Sequence, residues 1–174
     1  MPTEIKGALA LKKALKNFEP DLAKETTKEL AALLKPIVKN ARGFMPSDAD
    51  VPSGWLQRPT AQGRWSTRFY SQSAARRGIK YKTTPSRPNN RGFTSLVSIL
   101  NTNIGGIIYE YAGRTSGIVG NFTPKLGGEL KGSTRSMTGR AMYRAYDDDQ
   151  GRTKAHVIKA IDSAAKKFNN RSAA

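Results

Sequence analysis

The sequence predicts an α+β fold in which a small antiparallel sheet packs against a long N-terminal helix and a C-terminal helix. Apolar residues recur at helical spacing over residues 21–44 and 150–170, which predicts one-sided helices in both places. Over residues 64–70, 79–83 and 138–146 apolar side chains instead alternate with cationic ones, the period-two pattern of a half-buried strand. Long loops rich in Gly, Pro and Ser separate these segments. A chain of 174 residues is large enough for a single domain with a core of its own.

The helical N-terminal segment covers residues 1–44. A first helix is predicted over residues 3–17, and Pro20 is well placed to begin a second helix at 21–44. Pro36 lies inside that second pattern and predicts a kink or a break, because proline lacks the amide that an interior helical position donates. The rest of the chain divides into a loop at 45–63, the sheet with its long loops at 64–146 and the closing helix at 150–170.

Residues 91–114 are predicted to hold the core of the sheet. Residues 93–100 carry apolar side chains on both faces of the alternation, as a central strand does. A pair of glycines then predicts a turn. Glu110 follows between two tyrosines and is one of only two acidic residues in the stretch 51–146. Because a buried carboxylate without a partner is costly, we expect Glu110 to have a cationic partner.

Positive charge is concentrated in the middle of the chain. The protein carries 30 Lys and Arg against 13 Asp and Glu, a net charge of +17, and residues 51–146 account for 13 of those net charges. The helical ends are much closer to balance. A cationic block of this kind indicates a polyanionic partner, most simply nucleic acid. The alternative is a basic surface that keeps the protein soluble and has no specific ligand.

The predicted strands carry their cations on one side, so strands paired in register form a basic face. Sequence alone does not fix that register, since a shift of one residue exchanges the two faces of a strand. Residues 71–78 add a short helix or turn with two further arginines. The candidate DNA-facing residues are Arg64, Arg68, Arg76, Arg77, Lys80, Lys82, Arg140 and Arg144.

Trp55 is the expected anchor of the loop 45–63, because burying an aromatic side chain of this size stabilises a loop by about 2–3 kcal/mol. Two alternatives stay open: the indole packs on the core of its own chain, or it docks on a neighbouring subunit. Residues 115–134 form a second loop, longer than compact domains usually have. The three aspartates at 147–149 indicate the start of the last helix, where negative charge favours the helix dipole.

The sequence offers no constellation for catalysis or metal binding. It has no cysteine and one histidine, His156, which therefore lacks the partners of a nucleophilic relay. Glu110 has no second carboxylate nearby for acid–base chemistry, and the aspartates at 147–149 are typical of a helix cap. We therefore expect no enzyme activity, no metal and no cofactor. The N-terminus lacks the apolar centre of a signal peptide and no apolar run is long enough for a membrane span, which predicts a protein used in a cytoplasm or in something assembled there.

Four short segments follow one another in a recognisable order. They are ARGFMPSDADVPSGW at 41–55, GGIIYEYAGR at 105–114, NFTPKL at 121–126 and GRAMYRAY at 139–146. Together they resemble the tail-completion, or head-to-tail joining, proteins of long-tailed bacteriophages, in the version carried by phages of actinobacteria. That family has a helix leading to a proline, a Thr/Ser-Gly turn, a tyrosine–glutamate–glycine element and a late segment that closes the sheet. The residues that match are Pro46, Ser53, Gly54, Tyr109, Glu110 and Gly113.

The resemblance implies a structural virion protein without enzymatic activity, assembled in the host cytoplasm and located in the neck, at the top of the tail. Family members form a homo-oligomeric ring, usually hexameric, between the head-closure or connector ring above and the tail terminator or tail tube below. Genomic double-stranded DNA passes through the lumen, so the cationic block is expected to contact phosphates without reading bases. The residues expected to lock the fold or to contact neighbouring subunits are Trp55, Tyr109, Glu110 and Arg114.

Two other functions stay open at this point. A tail terminator or minor tail protein of the same virion differs mainly in its neighbours. A free, sequence-nonspecific nucleic-acid-binding protein requires basic residues on one exposed face and a steep salt dependence of binding. The aromatic residues lie in loops or on apolar faces, whereas stacking platforms for nucleic acid interleave with the basic residues.

Overall fold

The structure is a computed structural model that describes residues 7–52, 55–56, 70–90, 92–113, 123–132, 138–149 and 151–172. Within these ranges helices dominate and two strands form one antiparallel sheet, so the fold class is α+β, as the sequence predicts. The helices are α1 (Ala8–Phe18), α2 (Pro20–Gly43), α3 (Gln72–Gly78), α4 (Ile104–Tyr111), α5 (Met142–Asp148) and α6 (Arg152–Ser172). The strands are β1 (Ile79–Lys82) and β2 (Ser98–Asn101), and a 3-10 turn spans Thr123–Leu126.

The chain forms two compact units, each assembled from separate stretches. Unit one comprises Met1–Lys35, Tyr81–Ser98 and Gly151–Ala174, and unit two comprises Pro36–Lys80 and Ile99–Gln150. The organisation as a single domain stays a prediction.

Unit one is built from α1, the first half of α2 and α6. Their apolar stripes meet in two clusters, whose buried members are Ala8, Leu15, Leu22, Leu30, Val157, Ala160, Ile161 and Ala164. These residues recur at helical spacing, so the one-sided helices predicted over 21–44 and 150–170 are confirmed. In α6 the sequence favours a buried stripe through Ile158, Ile161, Ala165 and Phe168, of which the structure buries only Ile161. Exposed ion pairs of 2.7 Å between Lys167 and Glu25 and of 3.0 Å between Arg171 and Glu19 also connect α6 with α2 and with the turn before it.

Unit two has its own core, to which the second half of α2 contributes Ile37, Val38 and Ala41. Trp55 is buried in this core, with its ring centroid 5.0 Å from that of Tyr70. The Tyr70 hydroxyl donates to the Pro46 carbonyl at 2.7 Å. Of the two alternatives for Trp55, the structure therefore shows the first: the indole fastens its loop to the core of its own unit.

The sequence predicts a kink or a break at Pro36; helix α2 continues through that residue, so the break does not occur. The proline side chain is exposed, and so is Ala32, whose carbonyl loses its usual amide donor. Because that carbonyl lies on the solvent side, water can satisfy it and the helix tolerates the proline.

The predicted strands have different outcomes. The strand at 79–83 is confirmed as β1, and the short helix at 71–78 is confirmed as α3. The prediction of a strand at 138–146 is wrong. This segment forms a single antiparallel bridge, between Gly139 and Lys131, and helix α5 begins at Met142. Of the central strand predicted at 93–100, only the end belongs to β2. The strand predicted at 64–70 lies, apart from Tyr70, outside the described residues.

Two further predictions near these elements are wrong. The glycines at 105 and 106 do not form a turn but lie in the first turn of α4. The aspartates at 147–149 end α5 instead of beginning α6. The Asp148 carboxylate lies 3.6 Å from the Lys131 ammonium and 4.0 Å from the Arg144 guanidinium, so cations from two segments stabilise it at the unfavourable end of the helix.

Candidate functional site

Helix α3 leads directly into strand β1, and this junction presents part of the predicted DNA-facing set. Arg76 and Arg77 occupy the last turn of α3 and are exposed. In β1 the side chain of Ile79 is buried, whereas Lys80 is exposed. We call the exposed cations Arg76, Arg77 and Lys80 the basic corner. Lys82 is also exposed, two residues further along β1.

Contacts inside unit two hold both ends of α3. At its start, the Asp48 carboxylate accepts a hydrogen bond of 2.7 Å from the backbone amide of Gln72. At its end, Gly78 packs so closely on Asn101 that an added Cβ would lie 2.3 Å from the Asn101 Oδ1 atom. An acidic group at the beginning of a helix and basic residues in its last turn both favour the helix dipole. The sequence of α3 therefore fits its place in the fold.

The beginning of β1 is fastened to α2. The Arg42 guanidinium donates to the Ile79 carbonyl from Nε at 3.1 Å and from Nη2 at 2.7 Å. This charge-assisted contact ties the basic corner to a long helix. The corner thus presents three positive side chains from a backbone that is hydrogen-bonded on both sides. Such side chains can neutralise phosphates, and nothing in their arrangement requires a particular base sequence.

A second polar site lies in the core of unit two, around the buried Glu110. Its carboxylate accepts the amides of Ala141 at 2.9 Å, Met142 at 3.0 Å and Tyr143 at 2.9 Å. These amides belong to the first turn of α5, which has no intrahelical acceptors for them. Among the described residues Glu110 forms no ion pair, so its direct partners are backbone amides and not the expected cation. The charge of Arg140 acts on Glu110 without direct contact, and the N-terminus of a helix supplies further positive potential.

Arg140 donates hydrogen bonds to free backbone carbonyls at the end of α4, just as Glu110 accepts hydrogen bonds from free amides at the start of α5. Its guanidinium donates to the carbonyls of Gly127 and Tyr109, each at 3.2 Å, and to that of Ala112. Burial lowers the pKa of the Arg140 guanidinium, while Tyr109 and Glu110 act in the opposite direction. Arg140 is only 4% exposed, which corrects its assignment to the DNA-facing set: its donors serve backbone carbonyls inside the fold.

Glu110 and Arg140 together form what we call the double cap. It joins the end of α4 to the beginning of α5 across about 30 residues of sequence, since the hydrogen-bonded pairs that connect these two helix ends lie 28–33 positions apart. The fit is tight, because a Cβ added to Gly139 would lie 2.0 Å from the Glu110 Oε1 atom. Two of the four segments that carry the family resemblance, 105–114 and 139–146, meet here.

Asn103 was not singled out from the sequence, although it begins α4. Its side chain accepts the Gly106 amide at 2.8 Å, the contact of an N-cap residue. The neighbouring Asn101 is buried between Gly78 and Gly106. Its Oδ1 atom accepts a hydrogen bond of 2.8 Å from the backbone amide of Asn103. An Asn before an apolar run is a recognised helix-start signal, but the two glycines that follow it favour a turn.

The remaining predicted residues fall into two groups. Arg144 is half-buried, with its guanidinium 4.2 Å from the Phe44 ring centroid, and its assignment to the DNA-facing set stays a prediction. Tyr109 is buried beside Arg140, with the guanidinium 5.8 Å from its ring centroid. Arg64, Arg68 and Arg114 lie outside the described residues.

In the described part of the chain, no group of three or more His, Cys, Asp and Glu side chains is placed to hold a metal ion. Across the same ranges, none of the helices combines the length and the apolar character needed to cross a membrane. No family model, no curated protein and no solved structure matches this chain. Function is therefore inferred from the residues, the charge and the geometry described above.

Proposed function

We propose that this protein is a structural component of a bacteriophage virion that forms a ring at the head–tail junction, joins the tail to the head-closure ring and surrounds the DNA channel. The observation that carries the proposal is the placement of positive charge. Of the 17 net charges, 13 fall within residues 51–146, between two helical ends that are nearer to balance. The order of the four segments that resemble tail-completion proteins supports the position in the virion.

The basic corner suits contact with DNA that moves past the protein. Arg76, Arg77 and Lys80 extend from a backbone that is fixed by Asp48, Arg42 and Asn101. Phosphate contacts of this kind supply affinity without base readout. A channel wall requires that combination, because every sequence of the genome must pass it.

The double cap supports a structural role over a catalytic one. Glu110 accepts three amides, and Arg140 donates to three carbonyls. Both charged groups thus direct their hydrogen bonds at the backbone, at the end of α4, at the start of α5 and at Gly127. A carboxylate engaged in this way is poorly suited to take a proton from a substrate.

The proposed partners are further copies of the chain, the head-closure ring, the tail terminator or tail tube, and double-stranded DNA. A tail terminator or minor tail protein of the same virion is the nearest alternative. A free, sequence-nonspecific nucleic-acid-binding protein is the alternative of another class, and the exposed basic corner is the observation that favours it. DNA binding by a lone protomer with no assembly would support that alternative.

Charge reversal at the basic corner tests the proposal. The variant Arg76→Glu/Arg77→Glu/Lys80→Glu and the control Lys154→Glu/Lys159→Glu/Lys166→Glu, on the exposed side of α6, both lower the net charge from +17 to +11, because each reversal removes two charges. The logarithm of the affinity for duplex DNA falls linearly with the logarithm of the salt concentration. We expect the corner variant to reduce the magnitude of this slope by about three, and the control variant to reduce it much less. Equal losses in both variants would show that the DNA responds to net charge and not to the corner.

A further inference from the structure

Unit one contains an open, mainly apolar groove of about 610 Å³. Its floor is formed by Leu11, Leu15, Leu30 and Ile161, which come from α1, α2 and α6. The volume lies within the range of pockets that bind ligands or peptide side chains. The lining residues of the groove belong to unit one, whereas the residues of the basic corner and of the double cap belong to unit two.

The floor offers an occupant little hydrogen bonding. Thr26 and Thr27 line the groove, but their hydroxyls donate to the carbonyls of Leu22 and Ala23 in the preceding turn, each at 2.8 Å. The surface that remains is mainly hydrocarbon. Its occupant must therefore bring apolar side chains, since a polar group placed there would lose its water without replacement.

The groove also has four lysines in its lining, and they are not equivalent. Lys12 donates to the Thr83 carbonyl, and Lys24 lies 3.2 Å from the Asp21 carboxylate. Lys16 and Lys28 are exposed, and among the described residues no carboxylate pairs with either of them. The groove thus combines an apolar floor with two available positive charges.

Three of the four acidic residues of α2 and of the turn before it are already paired, Asp21 among them. Glu19 pairs with Arg171, and Glu25 pairs with Lys167, so both carboxylates are bound to α6. The hydrogen bond from Lys167 lowers the pKa of Glu25, which keeps that carboxylate charged and paired. A complementary partner must therefore bring negative charge of its own.

We propose that this groove binds an acidic amphipathic helix of a partner protein. An apolar stripe at helical spacing covers the leucine floor, and carboxylates beside the stripe meet Lys16 and Lys28. This is the helix-in-groove mode of recognition. Nucleic acid does not fit, because it has no apolar side chains for the floor. A second copy of this chain is less suited to this groove, because its Glu19 and Glu25 carboxylates are already paired with α6. The inference does not rest on a location in a virion.

The test uses the full-length protein and a fluorescent synthetic peptide, with leucines at positions i, i+3, i+4 and i+7 and glutamates between them. A second peptide has the same composition in scrambled order. We expect saturable, micromolar binding of the amphipathic peptide, and binding of the scrambled peptide weaker by at least about tenfold, because it cannot present a continuous apolar stripe.

Two matched pairs of variants locate the binding surface. Ala23→Trp fills the groove, whereas Ala32→Trp places the same side chain on an exposed part of α2 outside it. Lys16→Glu/Lys28→Glu reverses the available charges, whereas Lys35→Glu/Lys39→Glu makes the same change elsewhere on α2. We expect the groove variants to weaken peptide binding by about tenfold or more and the controls to leave it unchanged.

Three results overturn this inference: no saturable binding of the amphipathic peptide, equal binding of the scrambled peptide, or equal effects of groove and control variants. Binding confined to phosphatidylglycerol vesicles overturns it as well, and identifies a lipid surface instead. Circular dichroism confirms that each variant is folded, and the charge-reversal pair remains decisive if Ala23→Trp does not fold. DNA affinity of the same variants separates this result from the proposed function, because Ala23→Trp should leave DNA binding intact.

Discussion

At the scale of single residues, Glu110 shows how one buried charge can organise a backbone. A carboxylate among apolar side chains is costly unless donors surround it, and three amides at 2.9–3.0 Å provide that environment. All three come from the first turn of α5, where amides have no helical acceptor. The carboxylate thus gains hydrogen-bond donors, and the amides at the start of α5 gain an acceptor.

The substitution Glu110→Gln tests this contact with little change in size. The amide side chain keeps one oxygen but turns an NH₂ group toward backbone amides, so donors face donors. We expect the free energy of unfolding to fall by about 2–3 kcal/mol in urea denaturation. The exposed Glu29→Gln is the control and should change it by less than about 0.5 kcal/mol. An equal, small effect of both substitutions would mean that the three contacts contribute nothing to stability.

Tyr70 and Tyr109 make the free energy of unfolding depend on pH in the alkaline range. Burial raises the pKa of both phenols above the ordinary value of about 10. Below pH 10 their contribution is fully present; above it the unfolded chain loses these protons first, so the free energy of unfolding falls as pH rises. The slope is at most about 1.4 kcal/mol per pH unit for each tyrosine.

Urea denaturation between pH 8 and 11, a range chosen around that value of about 10, measures this slope. Tyr70→Phe removes one titrating group, together with the bond to Pro46, and should make the decline with pH shallower. Tyr81→Phe is the control, since the Tyr81 side chain is exposed. An unchanged decline in Tyr70→Phe would contradict the contribution assigned to Tyr70.

At the scale of elements, the double cap makes the end of α4 and the beginning of α5 one structural piece. Arg140 serves the carbonyls that α4 leaves free, and Glu110 serves the amides that α5 leaves free. Gly139 allows the two segments to approach, because a side chain there would meet the Glu110 carboxylate at 2.0 Å. The spacing between α4 and α5 is therefore set by the absence of one methyl group.

The substitution Gly139→Ala tests that spacing. The added Cβ must displace Glu110 or the start of α5, so we expect a loss of about 1–3 kcal/mol in the free energy of unfolding. Gly43→Ala is the matched control, since a Cβ at that position meets nothing within 4 Å. A helical alanine there should be neutral or stabilising by less than about 1 kcal/mol. Similar stabilities of the two variants would show that α4 and α5 can separate without cost.

The same elements show what the sequence could and could not predict. Helices α2 and α6 have long apolar stripes, and a period that repeats over several turns is a strong signal. Helix α4 contains two glycines, which individually cost about 1 kcal/mol in a helix, and the segment before α5 alternates apolar and cationic residues like a strand. Their helical state depends on caps from residues some 30 positions away, and local patterns contain no information about such contacts.

At the scale of the whole molecule, both units are positively charged: unit one carries 16 Lys and Arg against 6 Asp and Glu, and unit two carries 14 against 7. The basic corner lies in unit two, within the cationic stretch 51–146, whereas unit one contains paired carboxylates and the lysine-rimmed groove. The sequence was sufficient to find the cationic stretch. Of the residues that it selected, Arg76, Arg77 and Lys80 are exposed, and their contact with DNA stays a prediction. The sequence also selected Arg140, because a buried guanidinium and an exposed one look alike when only the alternation of residue types is known.

The most direct test of the proposed function is electron cryomicroscopy of phage particles that contain this chain, with a count of its subunits. We expect a homo-oligomeric ring at the junction of head and tail, with the basic corner directed at the DNA in the central channel. A particle in which the chain is missing from that junction, or is present as a solitary protomer away from the DNA, would contradict the account.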